Sequence, residues 1–186
     1  DGGMYSHPAT QANLAALQQR GALIAGPAEG HLASGLTGKG RMLEPGELLG
    51  HIRLVLGRDK ALAGRRVLVT AGGTQEPIDP VRTITNRSSG KQGFALAQAA
   101  LDLGAQVTLV AGATELPAPL GAQRIDVRTA EEMLQAVLAA IANCDVLLMA
   151  AAVADFRPAE PAENKIKKEA GPPTILLEKT PDILLE

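Results

Sequence analysis

The segment 86–93, with the sequence NRSSGKQG, contains the residues of this chain best suited to binding an anion or polarising a carbonyl group. Asn86 offers a hydrogen-bond donor and an acceptor, which suits a polarised carbonyl or a leaving phosphate, although a turn asparagine would have the same signature. Ser88, Ser89 and Gly90 come just before a predicted helix, where free backbone N–H groups and the helix dipole favour an anion. A serine here could equally cap the helix, and both interpretations can hold together.

Two adjacent glycines follow the first strand predicted upstream of this segment. Gly72 and Gly73 would let a ligand approach the backbone closely, or they would simply form a turn. The surrounding sequence AGGT is not the G-x-G-x-x-G dinucleotide fingerprint, and the chain contains no G-x-x-x-x-G-K-[ST] phosphate-binding motif. The glycines by themselves are therefore weak indicators of a ligand site.

Charged residues near the carboxyl terminus could complete such a site. Asp155 ends a predicted strand, where its carboxylate could bind a ribose hydroxyl, a base edge or Mg²⁺, or could cap a loop. A cationic cluster follows, formed by Lys165, Lys167 and Lys168. Lysine is the flexible point charge that triphosphate sites use, although most runs of charge are solvated faces. The three histidines and the single cysteine lack the spacing of a metal site, so the sequence assigns no metal ligands.

Composition limits the class of protein. The chain has 186 residues, of which 46% are hydrophobic and 2% aromatic, so its core must be aliphatic. A net charge of −2 argues against general attraction to nucleic acid or to a membrane surface. A single cysteine permits no internal disulfide, so we expect a reducing compartment, the cytoplasm. Since the chain starts without methionine and stops in the apolar sequence PDILLE, we expect it to belong to a longer protein.

The first third of the chain alternates short helices with glycine-rich sequence. Proline and glycine positions predict helices over residues 8–20 and 45–56. A short apolar run predicts a strand over residues 22–25. Residues 26–45 are rich in glycine and predict a long loop, either a flap or a binding loop. Residues 57–64 are charged and bounded by glycines, which predicts a linker.

The pattern changes from Arg65 onward. Apolar runs predict strands over residues 65–71 and 105–112, a strand running into a loop over 145–156, and a further possible strand over 124–128. Helices are predicted between them, one over residues 91–103. The other begins at a capping box formed by Thr129 and Glu132. Its apolar face consists of Met133, Leu134, Val137, Leu138 and Ile141. This alternation predicts an α/β fold with a doubly wound parallel sheet, in which ligands bind beyond the carboxyl ends of the strands.

The strings VTAGGTQEPIDPVRTITNRSSGKQGFALA, AAAVADFRP, NKIKK and KTPDIL resemble the synthetase half of the bifunctional coenzyme A biosynthesis proteins. Those proteins are phosphopantothenoylcysteine decarboxylase/phosphopantothenate–cysteine ligases. The resemblance implies a Rossmann-like ligase domain over residues 58–186. It also implies that residues 1–57 are the C-terminal remnant of a flavoprotein α/β domain, with DGGMYSHPATQANL and a glycine-rich flap as its matching strings.

The chemistry implied by this resemblance is a ligation in two steps. CTP activates the carboxylate of 4′-phosphopantothenate as an acyl-cytidylate and releases pyrophosphate. The amine of L-cysteine then attacks, which gives phosphopantothenoylcysteine and releases CMP and the amine proton. Mg²⁺ is expected on the triphosphate. The resemblance also implies FMN in the missing part of the decarboxylase half and a ligase-domain dimer in the full-length protein.

The resemblance assigns roles to individual residues. Asn86 matches the asparagine needed to convert the acyl-cytidylate to product, and Lys165 matches the lysine that serves acyl-cytidylate formation. Asp155 matches an aspartate that contacts the nucleotide. The stretches lying against the nucleotide match Met149, Ala150, Ala151, Pro181, Asp182, Ile183 and Leu184. Further nucleotide contacts of the family, an aromatic residue and more lysines, would lie beyond Glu186.

Two departures concern the decarboxylase half. Asp1 stands where well-known members have a catalytic-site asparagine. Ser34 stands where they have the cysteine that donates a proton, and a hydroxyl is a far weaker acid than a thiol. Decarboxylation by these residues is therefore not expected.

Two other functions compete with ligation. A Rossmann-like fold alone would permit an NAD(P)-dependent oxidoreductase, although the dinucleotide fingerprint is missing. A catalytically incomplete fragment could also serve only in binding or assembly. Binding of NAD(P) compared with CTP distinguishes the first alternative, and activity of the chain compared with its parent distinguishes the second.

Overall fold

The computed structural model describes residues 2–167 and 171–186, in two compact units that divide between Arg53 and Leu54. The first unit contains the helices α1 (Gly2–Ser6) and α2 (Pro8–Gln19), the strands β1 (Ala28–His31) and β2 (Thr37–Arg41), and the start of α3 (Pro45–Gly57). Helices α2 and α3 agree with the prediction, whereas α1 was not predicted. Asp1 lies outside the described residues, as do Lys168 and its neighbours at 169 and 170.

Two predictions for this unit are wrong. Residues 22–25 form no strand, and the predicted loop over 26–45 contains the antiparallel hairpin of β1 and β2. Glycines at alternate positions removed the apolar alternation by which a strand is recognised, whereas backbone pairing of Gly30 with Gly38 needs no side chains. Ser34 lies exposed in the turn of this hairpin.

The second unit is built on a parallel sheet, which confirms the predicted α/β fold. Its strands are β3 (Arg66–Ala71), β6 (Gln106–Ala111), β7 (Ala122–Asp126) and β8 (Val146–Met149), in the order β7-β6-β3-β8. The crossover helices are α4 (Lys91–Asp102) and α5 (Ala130–Ile141). Every pair of neighbouring strands is parallel, so all four carboxyl ends lie at one edge.

The two helices bury opposite faces of the sheet. Alternate residues of β3 separate into two core clusters, because successive side chains of a strand point to opposite faces. Val67 and Val69 pack with Phe94, Ala97 and other residues of α4. On the other face lies a cluster that includes Leu68, Val110, Met133, Leu134, Val137 and Ile183. As the composition requires, both cores are mainly aliphatic.

Helix α5 confirms the predicted capping box and most of the apolar face. The Thr129 hydroxyl accepts a hydrogen bond from the Glu132 N–H at 3.1 Å, and the Glu132 carboxylate accepts one from the Thr129 N–H. Met133 is fully buried, but Leu138 is 42% exposed. Each residue of an α-helix turns by about 100°, so Leu138, five residues after Met133, points about 140° away from it. Leu138 therefore lies off the buried side of the helix.

The sequence did not predict four short polar strands, nor the packing of residues 57–64 against the core. The strands β4 (Gln75–Asp79) and β5 (Arg82–Thr85) form one antiparallel hairpin, and β9 (Phe156–Pro158) pairs with β10 (Leu177–Lys179). Their polar sequences show no apolar alternation. The predicted linker over 57–64 is wrong as well, because Leu62 packs on the α4 core and its N–H donates to the Leu103 carbonyl at 2.9 Å.

Replacing Gly93 by alanine is expected to destabilise the second unit by about 1–3 kcal/mol, the usual cost of overpacking. A Cβ at this position would clash with the Ala71 side chain and lie 2.9 Å from the Thr70 carbonyl oxygen, so α4 would have to move away from β3. This cost exceeds the gain of about 1 kcal/mol in helix propensity. Urea unfolding measures the difference.

Gln92→Ala is the control for this substitution, because Gln92 is the preceding residue of the same helix and is exposed. It should change the stability by less than about 0.5 kcal/mol. Equal stabilities for the two alanine variants would contradict the close packing of α4 on β3.

Candidate functional site at the carboxyl edge of the sheet

Three loops are joined at the carboxyl edge of the sheet, around Gly73. Gly73 forms β-bridges with Ala113 of the second loop and Ala152 of the third loop. The Ala113 N–H donates to the Gly73 carbonyl at 2.9 Å, and the Ala152 N–H donates to the Gly72 carbonyl at 2.7 Å. The loops that follow β3, β6 and β8 therefore form one hydrogen-bonded junction.

The glycines of this junction permit close contact between the loops themselves. Gly72 has a φ of +80°, and a Cβ there would lie 3.1 Å from the Gly112 backbone. A Cβ on Gly73 would lie 3.0 Å from the Asn86 carbonyl oxygen. Side chains at these positions would force the loops apart. Contact of Gly72 and Gly73 with a ligand stays a prediction.

Buried threonine hydroxyls satisfy the backbone of the third loop. The Thr70 hydroxyl oxygen accepts hydrogen bonds from the N–H groups of Ala150 and Ala151, each at 3.2 Å. The Thr74 hydroxyl oxygen accepts one from the Ala154 N–H at 2.9 Å, and both threonines are fully buried. Sequence reasoning missed these residues, although threonine at the end of an aliphatic strand was a usable signal.

Asn86 connects the first loop to the third. Its side-chain N–H donates to the Val153 carbonyl at 2.9 Å, although the residue itself is exposed. The preceding Thr85 donates its hydroxyl to the Thr74 carbonyl at 2.7 Å. Asn86 is therefore held at a defined position beside the third loop, as a residue that polarises a substrate would have to be.

Neither serine is the N-cap residue of α4, which was one of the two interpretations of the sequence. The N-cap residue is Gly90, in the left-handed conformation with a φ of +73°, and it has no side chain with which to cap the helix. The Ser88 hydroxyl accepts from the Gly90 N–H at 3.3 Å, and the Ser89 hydroxyl accepts from the Lys91 N–H at 3.5 Å, which is long. Glycine suits the N-cap position, because its φ of +73° is a conformation that residues with a side chain rarely adopt, and a Cβ there would lie 3.3 Å from the Gly72 backbone nitrogen.

A pocket of about 490 Å³ lies beside this junction and collects most of the predicted nucleotide residues. Met149, Asp155 and all four residues of 181–184 contribute to it, whereas Ala150 and Ala151 do not. Lys179 and Thr180 were not predicted, although they directly precede the PDIL stretch. The pocket is lined by Met149, Val153, Ala154, Asp155, Phe156, Lys179, Thr180, Pro181, Asp182, Ile183, Leu184 and Leu185.

The predicted residues are only partly brought together. Asn86 borders the pocket through Val153, while Ile183 is 7% exposed and packs in the α5 core cluster. Gly72, Gly73 and the serines lie in the junction outside the lining. Lys165 is exposed and does not line the pocket.

The backbone beside Lys165 is bound by a buried carboxylate. Asp79 is 1% exposed, and its oxygens accept hydrogen bonds from the backbone N–H groups of Val81, Arg82 and Ile166. Burial alone would raise the pKa of Asp79, but these N–H groups and the Arg82 guanidinium outweigh it and lower the pKa to about 2. The carboxylate is therefore ionised throughout the neutral range.

A larger cavity, of about 770 Å³, lies away from these loops. It is lined by residues at the start of β3 and β6, among them Arg66 and Gln106, and by side chains of α5. Its position at the amino ends of the strands is unfavourable for a ligand site in this type of sheet. We therefore place the candidate site at the smaller pocket.

The described residues contain neither a metal cluster nor a membrane-spanning segment. Within 2–167 and 171–186, no group of three His, Cys, Asp or Glu side chains could hold a metal ion. In the same part of the chain, each helix is too short or too polar to cross a bilayer. Asp155 and Asp182 are the carboxylates that line the pocket. A metal here would have to share its coordination with a ligand.

Comparison with known proteins agrees with this architecture. Residues 62–186 match the family described as the DNA/pantothenate metabolism flavoprotein C-terminal domain. The coenzyme A biosynthesis bifunctional protein CoaBC of Vibrio cholerae is 52% identical over 183 residues, which cover 97% of this chain and 46% of that protein. CoaBC of Mycobacterium tuberculosis is 51% identical over 187 residues, which cover 97% and 45%. The chain thus spans about half the length of the curated relatives it matches.

A solved structure supports the same assignment. The crystal structure of the C-terminal domain of a CoaBC protein shares 47% sequence identity and a TM-score of 0.59 with this chain, and the match covers 68% of this chain and 59% of that one. The predicted resemblance and the predicted α/β fold are both confirmed.

Acid is expected to weaken the second unit partly through Asp79. Its pKa falls from an ordinary 3.8 to about 2 in the folded protein, so the folded state favours the ionised carboxylate. The resulting stability is present above pH 4 and is lost as the pH falls from about 4 towards 2. Asp79→Asn should be less stable at pH 7 and should lose less additional stability over that interval, as measured by urea unfolding.

The hydrogen bond from the Arg66 N–H also lowers the pKa of Asp145. Asp145 is present in both the wild type and the Asp79→Asn variant, so its contribution to the pH dependence of stability cancels in the difference between them. Stability curves that stay parallel from pH 4 to pH 2 would refute the contribution of Asp79.

Proposed function

The chain belongs to the DNA/pantothenate metabolism flavoprotein C-terminal domain family, and from that premise we propose that it carries the ligase site of a coenzyme A biosynthesis protein. The proposed reaction joins 4′-phosphopantothenate to L-cysteine at the expense of CTP. The domain assignment proposed with it is a ligase domain over residues 58–186, preceded over residues 1–57 by the end of a flavoprotein domain.

The observation that carries the proposal is the pocket beside β8, together with its contact to Asn86. Asp155 and the stretch 181–184 come from segments far apart in the sequence, yet they line one cavity. Asn86 donates to the carbonyl of Val153, which belongs to the same lining. The residues assigned to nucleotide binding and to turnover are therefore adjacent in space.

The first proposed step forms a mixed anhydride. A carboxylate oxygen of 4′-phosphopantothenate attacks the α-phosphorus of CTP, the bond to the β-phosphate oxygen breaks, and pyrophosphate leaves. Lys179 is the cation among the described lining residues, which also include the carboxylates of Asp155 and Asp182. A triphosphate needs more positive charge than this lining offers, and Lys165 would supply it. When bound, Mg²⁺ would neutralise phosphate charge, with Asp155 or Asp182 as its protein ligand.

The second proposed step forms the amide. The cysteine amine attacks the acyl carbon, the bond to the cytidylate oxygen breaks, and CMP leaves with the electron pair. Charge develops on the acyl oxygen at this point, and in this proposal the Asn86 amide donates a hydrogen bond to it. In the structure this amide already donates to a carbonyl oxygen, at 2.9 Å from Val153. A substrate carbonyl could take the place of that partner.

Other features of the parent protein follow from the same proposal. We expect FMN in a preceding flavoprotein domain, a dimer of the ligase domain, and a cytoplasmic location. Ser34, in the hairpin turn of the first unit, leaves the decarboxylase acid position without a thiol. We therefore propose that ligation, and not decarboxylation, is the activity of this chain.

An oxidoreductase is disfavoured by the connection between β3 and α4. A dinucleotide-binding turn is short and glycine-rich. Here residues 72–90 contain the whole β4–β5 hairpin. Binding of CTP and of NADPH to the same preparation separates the two functions, and preference for NADPH would favour the oxidoreductase.

The function is tested by pyrophosphate release from the longer protein that we expect to contain this chain. With 4′-phosphopantothenate, CTP should support release without cysteine, and product should appear only when cysteine is added. ATP in place of CTP tests the nucleotide. Absence of pyrophosphate with every nucleoside triphosphate would contradict the proposed ligation.

Asn86→Asp is expected to separate the two steps. The carboxylate cannot donate to the acyl oxygen and would repel it, whereas the side chains that line the nucleotide pocket are kept. Product formation should fall about 10²–10³-fold, the usual loss for one such donor, while pyrophosphate release persists. Rapid-quench analysis should detect the acyl-cytidylate. Product formation at the wild-type rate would remove Asn86 from the second step.

A further inference from the structure

We propose that Asp79 is a positioning residue for Lys165 and acts through the backbone of Ile166. The inference rests on the function proposed above, in which Lys165 serves acyl-cytidylate formation. It concerns how the backbone of a lysine outside the pocket lining is held in place.

Asp79 is located at the end of β4, where its carboxylate bridges two parts of the chain. Its Oδ1 accepts from the Val81 and Arg82 N–H groups, both at 2.9 Å, which closes the β4–β5 turn. Its Oδ2 accepts from the Arg82 Nε at 2.9 Å and from the Ile166 N–H at 3.2 Å. Oδ1 thus binds the hairpin, whereas Oδ2 binds both the hairpin and the backbone of the segment that contains Lys165.

Arg82 holds the opposite side of the same residue. Its Nη2 donates to the Ile166 carbonyl at 2.7 Å and lies 2.6 Å from Asp79 Oδ2. Both backbone polar groups of Ile166 are therefore bound by one ion pair. The Ala162 N–H also donates to the Ile78 carbonyl at 2.9 Å, so residues 162–166 are fixed to β4 at two points.

This anchor has a specific consequence for Lys165. The lysine side chain is exposed and long, so its amine can reach a fixed phosphate only if its backbone is fixed. Asp79 binds the peptide group that joins Lys165 to Ile166, and Arg82 binds the peptide group after it. Their opposite charges compensate each other, which leaves the charge of Lys165 for an anionic ligand. A misplacement of about 1 Å can reduce catalysis about 10²-fold, so loss of the anchor should be visible in the first step.

A purely structural role of Asp79 makes a different prediction. If the carboxylate only closes the β4–β5 turn, its loss would add to the loss of Lys165, because the two residues would act independently. If Asp79 acts through Lys165, its removal should matter little once the lysine is gone. A double-mutant cycle separates these two cases.

The cycle uses Asp79→Asn, Lys165→Gln and the double variant in the longer protein, with CTP-dependent pyrophosphate release as the readout. Asp79→Asn and Lys165→Gln should each slow release by about 10-fold or more, and the double variant should be no slower than Lys165→Gln. Independent, multiplied losses would overturn the proposal. Should Asp79→Asn fail to fold, Arg82→Lys removes the Nη2 donor to Ile166, keeps the charge, and is expected to show the same dependence on Lys165.

Asp145→Asn is the matched control. The Asp145 carboxylate also accepts a backbone hydrogen bond, from the Arg66 N–H at 2.7 Å, and it lies 3.5 Å from the Arg66 Nε. This pair is at the amino edge of the sheet, away from the three loops. Pyrophosphate release by Asp145→Asn should stay within about 2-fold of wild type. An equal loss in both aspartate variants would mean that general destabilisation accounts for the effect.

A readout without catalysis tests the anchor directly. Hydrogen exchange at the Ile166 N–H, measured on the protein without nucleotide, should be about 10-fold faster in Asp79→Asn than in wild type or Asp145→Asn. Unchanged exchange would overturn the anchor. Wild-type pyrophosphate release by Lys165→Gln would instead contradict the role of Lys165 in the proposed function, and with it the purpose of the anchor.

Discussion

The contact of Gly72 and Gly73 with the neighbouring loops is the constraint on which the candidate site depends. A parallel sheet brings the ends of its strands to one edge, but it does not decide how closely the loops beyond them approach. Here Gly73 pairs with Ala113 on one side and Ala152 on the other. A Cβ on Gly112 would lie 2.5 Å from the Gly73 carbonyl oxygen, and one on Gly73 would lie 3.0 Å from the Asn86 carbonyl oxygen, so larger residues would push these loops apart. The junction then presents Asn86 to the third loop, and the pocket forms beside it.

Loops that pack closely bury backbone N–H groups, and buried side chains accept hydrogen bonds from these groups. An unpaired buried N–H destabilises a protein by about 1–3 kcal/mol, so each must find an acceptor. Thr70 and Thr74 accept from the third loop, and the fully buried Glu76 accepts from the Ala130 N–H at the start of α5, at 2.9 Å. Glu76 also places negative charge at a helix N-terminus, where the dipole favours it. The same side chains therefore stabilise the core and hold the site.

The two polar hairpins extend this organisation beyond the sheet. The β4–β5 hairpin begins after the glycine junction and ends next to Asn86, and through Asp79 it also binds the segment of Lys165. The β9–β10 hairpin brings Lys179 and the stretch 181–184 back to the carboxyl edge. Two residues assigned to successive steps of ligation are thus connected by one hairpin. This arrangement gives the proposed reaction a common scaffold for both steps.

The sequence by itself determined the parallel α/β sheet, its crossover helices, the capping box and the family. Aliphatic runs and helix caps are local signals, and long matching strings such as TITNRSSGKQG need no structure to be recognised. Only the tertiary structure decided which residues meet. The hairpins were missed because polar strands paired through their backbones have no apolar period, as between Gly30 and Gly38. The sequence left open whether a serine caps α4, and the structure has Gly90 as the N-cap residue, in contact with Gly72 of another loop. The anchor of Asp79 on Ile166 spans 87 positions in the chain, and hydrogen bonds over such separations are set by packing, which local sequence cannot encode.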